Sequence, residues 1–141
     1  KNNVLIRNRN FEYLKKFFEK FKKYFKLPEQ NIGVKTPWLA FPLVIKENKI
    51  FNRKKMQIFF EKNNIQTRTI FTGNILKQPV MKNRFFKKHP KCDKVANDVM
   101  KNGILIACHH GLTKKMIRHI HKSIDEVEEK ILELKIIIDK N

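Results

Sequence analysis

Five large apolar residues, Phe11, Leu14, Phe18, Phe21 and Phe25, recur at spacings of 3, 4, 3 and 4. That rhythm is one face of an amphipathic helix, here from about Asn8 to Phe25, with lysines on the outside. A single helix cannot bury four phenylalanines by itself. The chain therefore has to supply a broad apolar surface opposite, either a sheet or a neighbouring domain. Pro28 marks the end of this helix. The stripe reads as core rather than as a platform for stacking bases.

Strand signals follow. "WLAFPLVIK", Trp38 to Lys46, alternates as a strand, and Pro42 inside it argues for an edge or a bulge. Asn52 can cap a helix from Arg53 to about Lys62, with Met56, Phe59 and Phe60 on its apolar side. "IQTRTIF" is a second strand, with Thr67, Thr69 and Phe71 on one face and Arg68 and Ile70 on the other. "IFTGNILKQPVMKNRFF", Ile70 to Phe86, has no hydrophobic period and reads as an irregular segment. Asp93 can cap a short helix through Met100, and Gly103 stands where a helix end favours positive φ. Ile104 to Cys108 is a buried third strand. From Thr113 a long helix carries Ile117, Ile120, Ile124, Val127, Ile131, Leu134 and Ile138 at spacings of 3 and 4. The expected fold is α+β: a small three-stranded sheet covered by helices, with a long C-terminal helix.

At 141 residues the chain suits one domain. Its net charge of +19 points toward anionic partners. Lysine supplies 26 of the 32 cations, however, and bidentate readers of phosphate and base edges favour arginine. Lys, Asn, Ile and Phe make up 69 of the residues, a bias that fits AT-rich coding. A basic nucleic-acid-binding module is thus the alternative reading, and nucleic acid is not the expected partner. Two cysteines form no disulfide framework, and no apolar run approaches the roughly 18 residues of a membrane helix. A reducing, cytoplasmic setting is expected. The first residue is Lys1 rather than methionine, so a C-terminal fragment is expected.

"ACHHG", Ala107 to Gly111, is the most reactive-looking string. Neighbouring strand residues point to opposite faces, so Cys108, His109 and His110 cannot all hold one ion. His89, Cys92, His119 and His121 lack paired ligand spacing, and no metal is expected. Histidines at a strand end can instead line a cleft. Arg68 is an arginine in a strand of a lysine-rich chain, which suits a carboxylate or phosphate fork, or a structural ion pair. Thr72, Gly73 and Asn74 offer a hydroxyl, a permissive backbone and an amide, suited to a polar ligand or to capping a helical turn. No phosphate loop, dinucleotide fingerprint or nucleophile elbow occurs.

Two strings, "NIQTRTIFTGNILKQPV" and "VMKNGILIACHHGLT", together resemble the C-terminal domain of the DegT family of pyridoxal-phosphate-dependent sugar aminotransferases and dehydratases. The similarity is greatest to the nucleotide-hexose 3-dehydrases of lipopolysaccharide and deoxysugar biosynthesis. It runs from about Asn8 to Val127. It implies an inter-domain helix at 8–26, the core of a fold-type I small domain at 27–127 and a helical tail at 128–141. It also implies pyridoxal or pyridoxamine phosphate in a large domain that this chain lacks, so no catalytic or cofactor-binding residue is expected here. The substrate is expected to be a nucleotide-linked 4-keto-6-deoxyhexose, processed by 3-dehydration or transamination. A homodimer and, for deoxygenation, an iron-sulfur reductase are the implied partners. By resemblance Arg68, Phe71, Thr72, Gly73 and Asn74 face the substrate, with His109 and His110 as further candidates.

Overall fold

The computed structural model describes residues 2–87 and 92–138. The elements are α1 (Asn2–Phe18), β1 (Phe25–Lys26), β2 (Ala40–Ile45), α2 (Arg53–Lys62), β3 (Thr67–Arg68), α3 (Cys92–Asn102), β4 (Gly103–Ala107) and α4 (Lys114–Ile138). The strands form one antiparallel sheet in the order β1-β2-β4-β3. The α+β class agrees with the sequence reading, but there are four strands where three were expected.

The extra strand comes out of the expected first helix. α1 stops at Phe18 and a 3-10 turn, Glu19–Phe21, follows. Phe25 is buried, as its spacing demands, but it is buried from a strand paired to Ile45. The edge of β2 offers backbone partners that a helix could not use: the Lys46 amide donates to Tyr24 O at 2.8 Å. β3 is likewise shorter than the "IQTRTIF" run, because the chain turns away after Arg68.

Pro42 lies in an inner strand, where proline would normally cost a ladder bond. The Cys108 amide donates to Leu39 O and the Lys46 amide to Tyr24 O. This alternation turns the Pro42 nitrogen toward the β1 side, beyond the point where the two-residue β1 has ended. Pro42 therefore removes no bond, and the expected edge character holds locally.

One sheet face carries Phe41, Leu43, Ile45, Ile104, Ile106 and Cys108, all buried. α1, α2 and α4 supply the facing layer, with Phe11, Leu14 and Phe18, Met56 and Phe60, and Ile117, Ile120 and Ile124. Phe18 stacks on Phe41 with centroids 5.5 Å apart and meets Phe25 edge-on at 5.6 Å. Phe11 stacks on Trp38 at 4.6 Å. Such pairs add about 1 kcal/mol each beyond area burial. The opposite face, with Ala40, Pro42, Val44, Leu105 and Ala107, is only half-buried.

Thr113 caps α4, its hydroxyl accepting from the Met116 amide at 3.2 Å. The apolar stripe of α4 is seated through Ile124; the side chains of Ile131, Leu134 and Ile138 lie outside the described residues. No described helix is long and apolar enough to cross a membrane. Gly103 departs from expectation. Its φ is not positive, and it opens β4 directly after α3. Glycine is needed there because a Cβ would lie 2.4 Å from Val99 O.

Candidate functional site

β3 ends at Arg68 and the chain reverses through Ile70 to Asn74. The Gly73 amide closes the turn on Ile70 O at 3.1 Å. Two residues take left-handed backbone, Phe71 at φ 45 and Gly73 at φ 70. Glycine tolerates this conformation, whereas a phenylalanine there stores strain on the order of 1–3 kcal/mol. Phe71 is 88% exposed. Gly73 also meets a steric limit, since a Cβ would sit 2.4 Å from Met100 Cβ. The turn is thus pressed onto α3.

Asn74 goes the other way and is 2% exposed. Its Oδ1 accepts from the Leu76 amide at 3.0 Å. Its Nδ2 donates to Asn97 Oδ1 at 2.9 Å and to Asp93 Oδ1 at 3.4 Å. The side chain expected to face substrate is spent on holding the turn. What the turn presents outward is the Phe71 ring, the exposed Thr72 and the backbone at Gly73. Beside it lies a shallow hollow of about 190 Å³ lined by Arg53, Thr69, Thr72, Gly73, Val99 and Met100, among others. Arg53 donates to Met100 O at 2.8 Å, satisfying a carbonyl in the last turn of α3.

Arg68 is exposed on β3 opposite Leu105, outside that hollow. Its Nη1 donates to Thr67 O at 3.1 Å. Glu61 Oε1 accepts from the Thr67 hydroxyl at 2.8 Å and the Thr67 amide at 2.7 Å. The Thr67 hydroxyl first, then the Thr67 amide and the charge of Arg68, hold the Glu61 carboxyl below its ordinary range. Glu61 and Arg68 thereby close the backbone of an exposed edge strand.

The histidines are elsewhere. His109 lies six positions beyond Gly103, just past the end of β4, which is about 20 Å at strand rise. His109 Nδ1 accepts from the Gly111 amide at 3.0 Å, shaping its own turn. Arg7 lies 3.4 Å from His110 Nδ1. His109 borders a groove of about 500 Å³ with Ile65, Leu112, Met116, His119 and Ile120. Cys108 is fully buried, and burial pushes its thiol up to about 12. A thiol so buried is a poor nucleophile at neutral pH. His119 bonds Asn63 O at 2.7 Å and His121 stacks on Phe17 at 3.9 Å, while His89 and the Cys92 side chain lie outside the described residues. No metal-holding cluster occurs among the described residues.

The sequence reading therefore joined groups that the fold separates: the 71–74 turn by Gly103 at one end of β4, Arg68 opposite Leu105 at its middle, and His109 and His110 beyond its other end. It missed Asn97 and Met100, which support the turn, Glu61, which supports the strand of Arg68, and Asn10, which supports His109. Asn10 is fully buried on α1 and donates to His109 O at 3.0 Å. Its place four residues before Leu14, on the apolar stripe, was a readable signal.

The layering of this sheet and its helices recurs in a solved aminotransferase and a solved 3-dehydratase. An aminotransferase from Psychrobacter cryohalolentis superposes with a TM-score of 0.78 at 14% identity, covering 92% of this chain and 35% of that one. The GDP-4-keto-6-deoxy-D-mannose-3-dehydratase of E. coli, solved with hydrated PLP, superposes at 0.71 with 27% identity over 85% of this chain and 30% of its own. In sequence, residues 1–125 match the DegT/DnrJ/EryC1/StrS aminotransferase family, and the chain belongs to it. The lipopolysaccharide biosynthesis protein RfbH of Salmonella typhimurium is 28% identical over 123 residues, 85% of this chain and 27% of that protein. The E. coli GDP-4-keto-6-deoxy-D-mannose 3-dehydratase is 31% identical over 107 residues, 75% of this chain and 26% of its length. The chain thus spans only about a quarter of the curated relatives it matches.

Proposed function

We propose that this chain is the small, substrate-side domain of a pyridoxal- or pyridoxamine-phosphate enzyme acting on nucleotide-linked 4-keto-6-deoxyhexoses. The chemistry is 3-dehydration or transamination in cell-surface polysaccharide or deoxysugar biosynthesis. The observation that carries this reading is the similarity to RfbH and to the 3-dehydratase across most of the chain. A solved relative holding GDP-perosamine supports a nucleotide-sugar as the ligand class.

The residues present do not fit the cofactor itself. None of the described lysines is buried, so none has the desolvated amine that Schiff-base chemistry favours. The cofactor belongs to a part of the enzyme outside this chain, and the chain alone is inactive. Its own contribution is binding. Arg68 offers a two-pronged donor for a phosphate, Phe71 an exposed ring for a base or sugar face, and Thr72 and Gly73 a hydroxyl and a backbone edge for sugar oxygens. Asn74 acts indirectly, by holding that turn. His109 and His110 serve a separate rim. Homodimerisation, an iron-sulfur reductase partner and a cytoplasmic setting belong to the same reading.

The cations are spread over all four helices, for instance Lys16 on α1, Lys54 on α2, Lys94 on α3 and Lys115 on α4, and are not confined to one element. That spread does not favour nucleic acid. The test joins this chain to the cofactor-binding part of a family 3-dehydratase and assays a GDP-linked 4-keto-6-deoxyhexose. Turnover in the fusion, none in the chain alone, and a KM raised about tenfold by Arg68→Ala are expected. A tight cofactor complex of the isolated chain would overturn the proposal.

A further inference from the structure

We infer that Asn97 is the positioning residue for the Phe71–Asn74 turn, and so for the groups the turn offers to substrate; the second half of this statement rests on the function proposed above. Asp93, Asn97 and Met100 follow one another on α3 at spacings of 4 and 3, which places them along one helix face. That face meets the turn twice. Met100 lies where a Cβ on Gly73 would be, so only a glycine can come this close. One turn of helix away, Asn97 Oδ1 accepts from Asn74 Nδ2 at 2.9 Å, the shorter of the two bonds that nitrogen makes; the other, to Asp93 Oδ1, is 3.4 Å.

The contacts are complementary. Met100 sets how near the turn approaches, and the half-buried Asn97 fixes its rotation through the Asn74 side chain, which is buried. Asn74 passes the constraint on, because its Oδ1 holds the Leu76 amide and its carbonyl the Lys77 amide. The strained backbone of Phe71 lies three residues from this anchor. A left-handed phenylalanine persists only where its surroundings over-determine it; the Thr69 hydroxyl donates to Phe71 O at 3.3 Å and Gln78 Nε2 to Thr72 O at 3.0 Å from within the segment, and Asn97 supplies the shorter bond that ties it to α3.

The experiment compares Asn97→Leu with Asn97→Asp. Leucine keeps the bulk and removes the acceptor, whereas aspartate keeps an acceptor oxygen. Amide exchange is followed by NMR in the 141-residue chain. Asn97→Leu is expected to speed exchange at Gly73, Leu76 and Lys77 by at least about tenfold and to leave Ile104 and Ile106 unchanged. Asn97→Asp is expected to stay within about twofold of the parent. No local change, or an equal rise along β4, overturns the assignment. In the fusion enzyme Asn97→Leu should raise KM about tenfold, with kcat within about twofold and with rescue by aspartate. Faster exchange with unchanged KM overturns the substrate half. A parent fusion without turnover means the proposed function has failed, and the exchange data still decide whether Asn97 positions the turn.

Discussion

The two ends of β4 are built on opposite principles. At the Gly103 end, elements meet through backbone and polar groups: a glycine under a carbonyl, Arg53 on Met100 O, and Asn74 between Asn97 and Asp93. At the Cys108 end, the strand runs into an apolar core, and its histidines stand outside in a turn that His109 itself supports. The thiol that looks reactive in sequence is thus part of the core, and the segment that looks irregular is a turn pinned onto α3. Reactivity depends on access and solvation, which residue type alone does not report.

The glycines probe this contrast most directly. Gly103→Ala drives a Cβ into the Val99 carbonyl, a backbone atom that cannot step aside. It should cost about 3 kcal/mol in urea unfolding. Gly111→Ala meets only the His109 ring, at 3.0 Å, and should cost less than about 1 kcal/mol because that side chain can move. Equal losses would erase the distinction between the ends.

Cys108 comes next. With its thiol held near 12 by burial, alkylation at pH 8, read on the Cys108 peptide, should be at least about a hundredfold slower in the native chain than in urea. Labelling at the unfolded rate would mean the Cys108 end is open. His109→Ala removes one exposed turn bond and should cost about 0.5–1 kcal/mol; a larger loss would make the histidine part of the core.

The smallest effect concerns pH. Asp98 is held below its ordinary range by its bond to Lys26, at 2.6 Å, then by Asn102 at 2.7 Å. A depressed carboxyl contributes stability above its unfolded pKa of 3.8 and loses it as pH falls through the lower folded value. Stability of the parent should therefore decline below about pH 4, and Asp98→Asn should flatten that decline. An unchanged slope would detach α3 from β1 and weaken the polar account of this end.

Much of the architecture was legible because it depends on local period. The Phe11–Leu14–Phe18 stripe, the strand at Ala40–Ile45, the Asn52 cap and the Ile117–Ile124 stripe are each carried by residues within a few positions of one another. β1 was not legible. Phe25 fits a helical spacing equally well, and only the free edge of β2 decides that it pairs as a strand. The extent of β3 and the real reason for Gly103 were hidden likewise, since both depend on atoms distant in sequence or on backbone approach.

The same division holds for the candidate site. The sequence by itself determined the class of the chain: the strings around "TGN" and "CHHG" carry the family likeness, and residues 1–125 match the family. Only the tertiary structure decided which side chains of those strings are buried and which are exposed. It turned Asn74 inward onto Asn97, left Phe71 strained and exposed, and sank Cys108 into the core. The physical reason is that a buried polar group is constrained by whatever partner lies across the fold, and that partner, 23 residues away in the case of Asn74, is chosen by packing rather than by spacing.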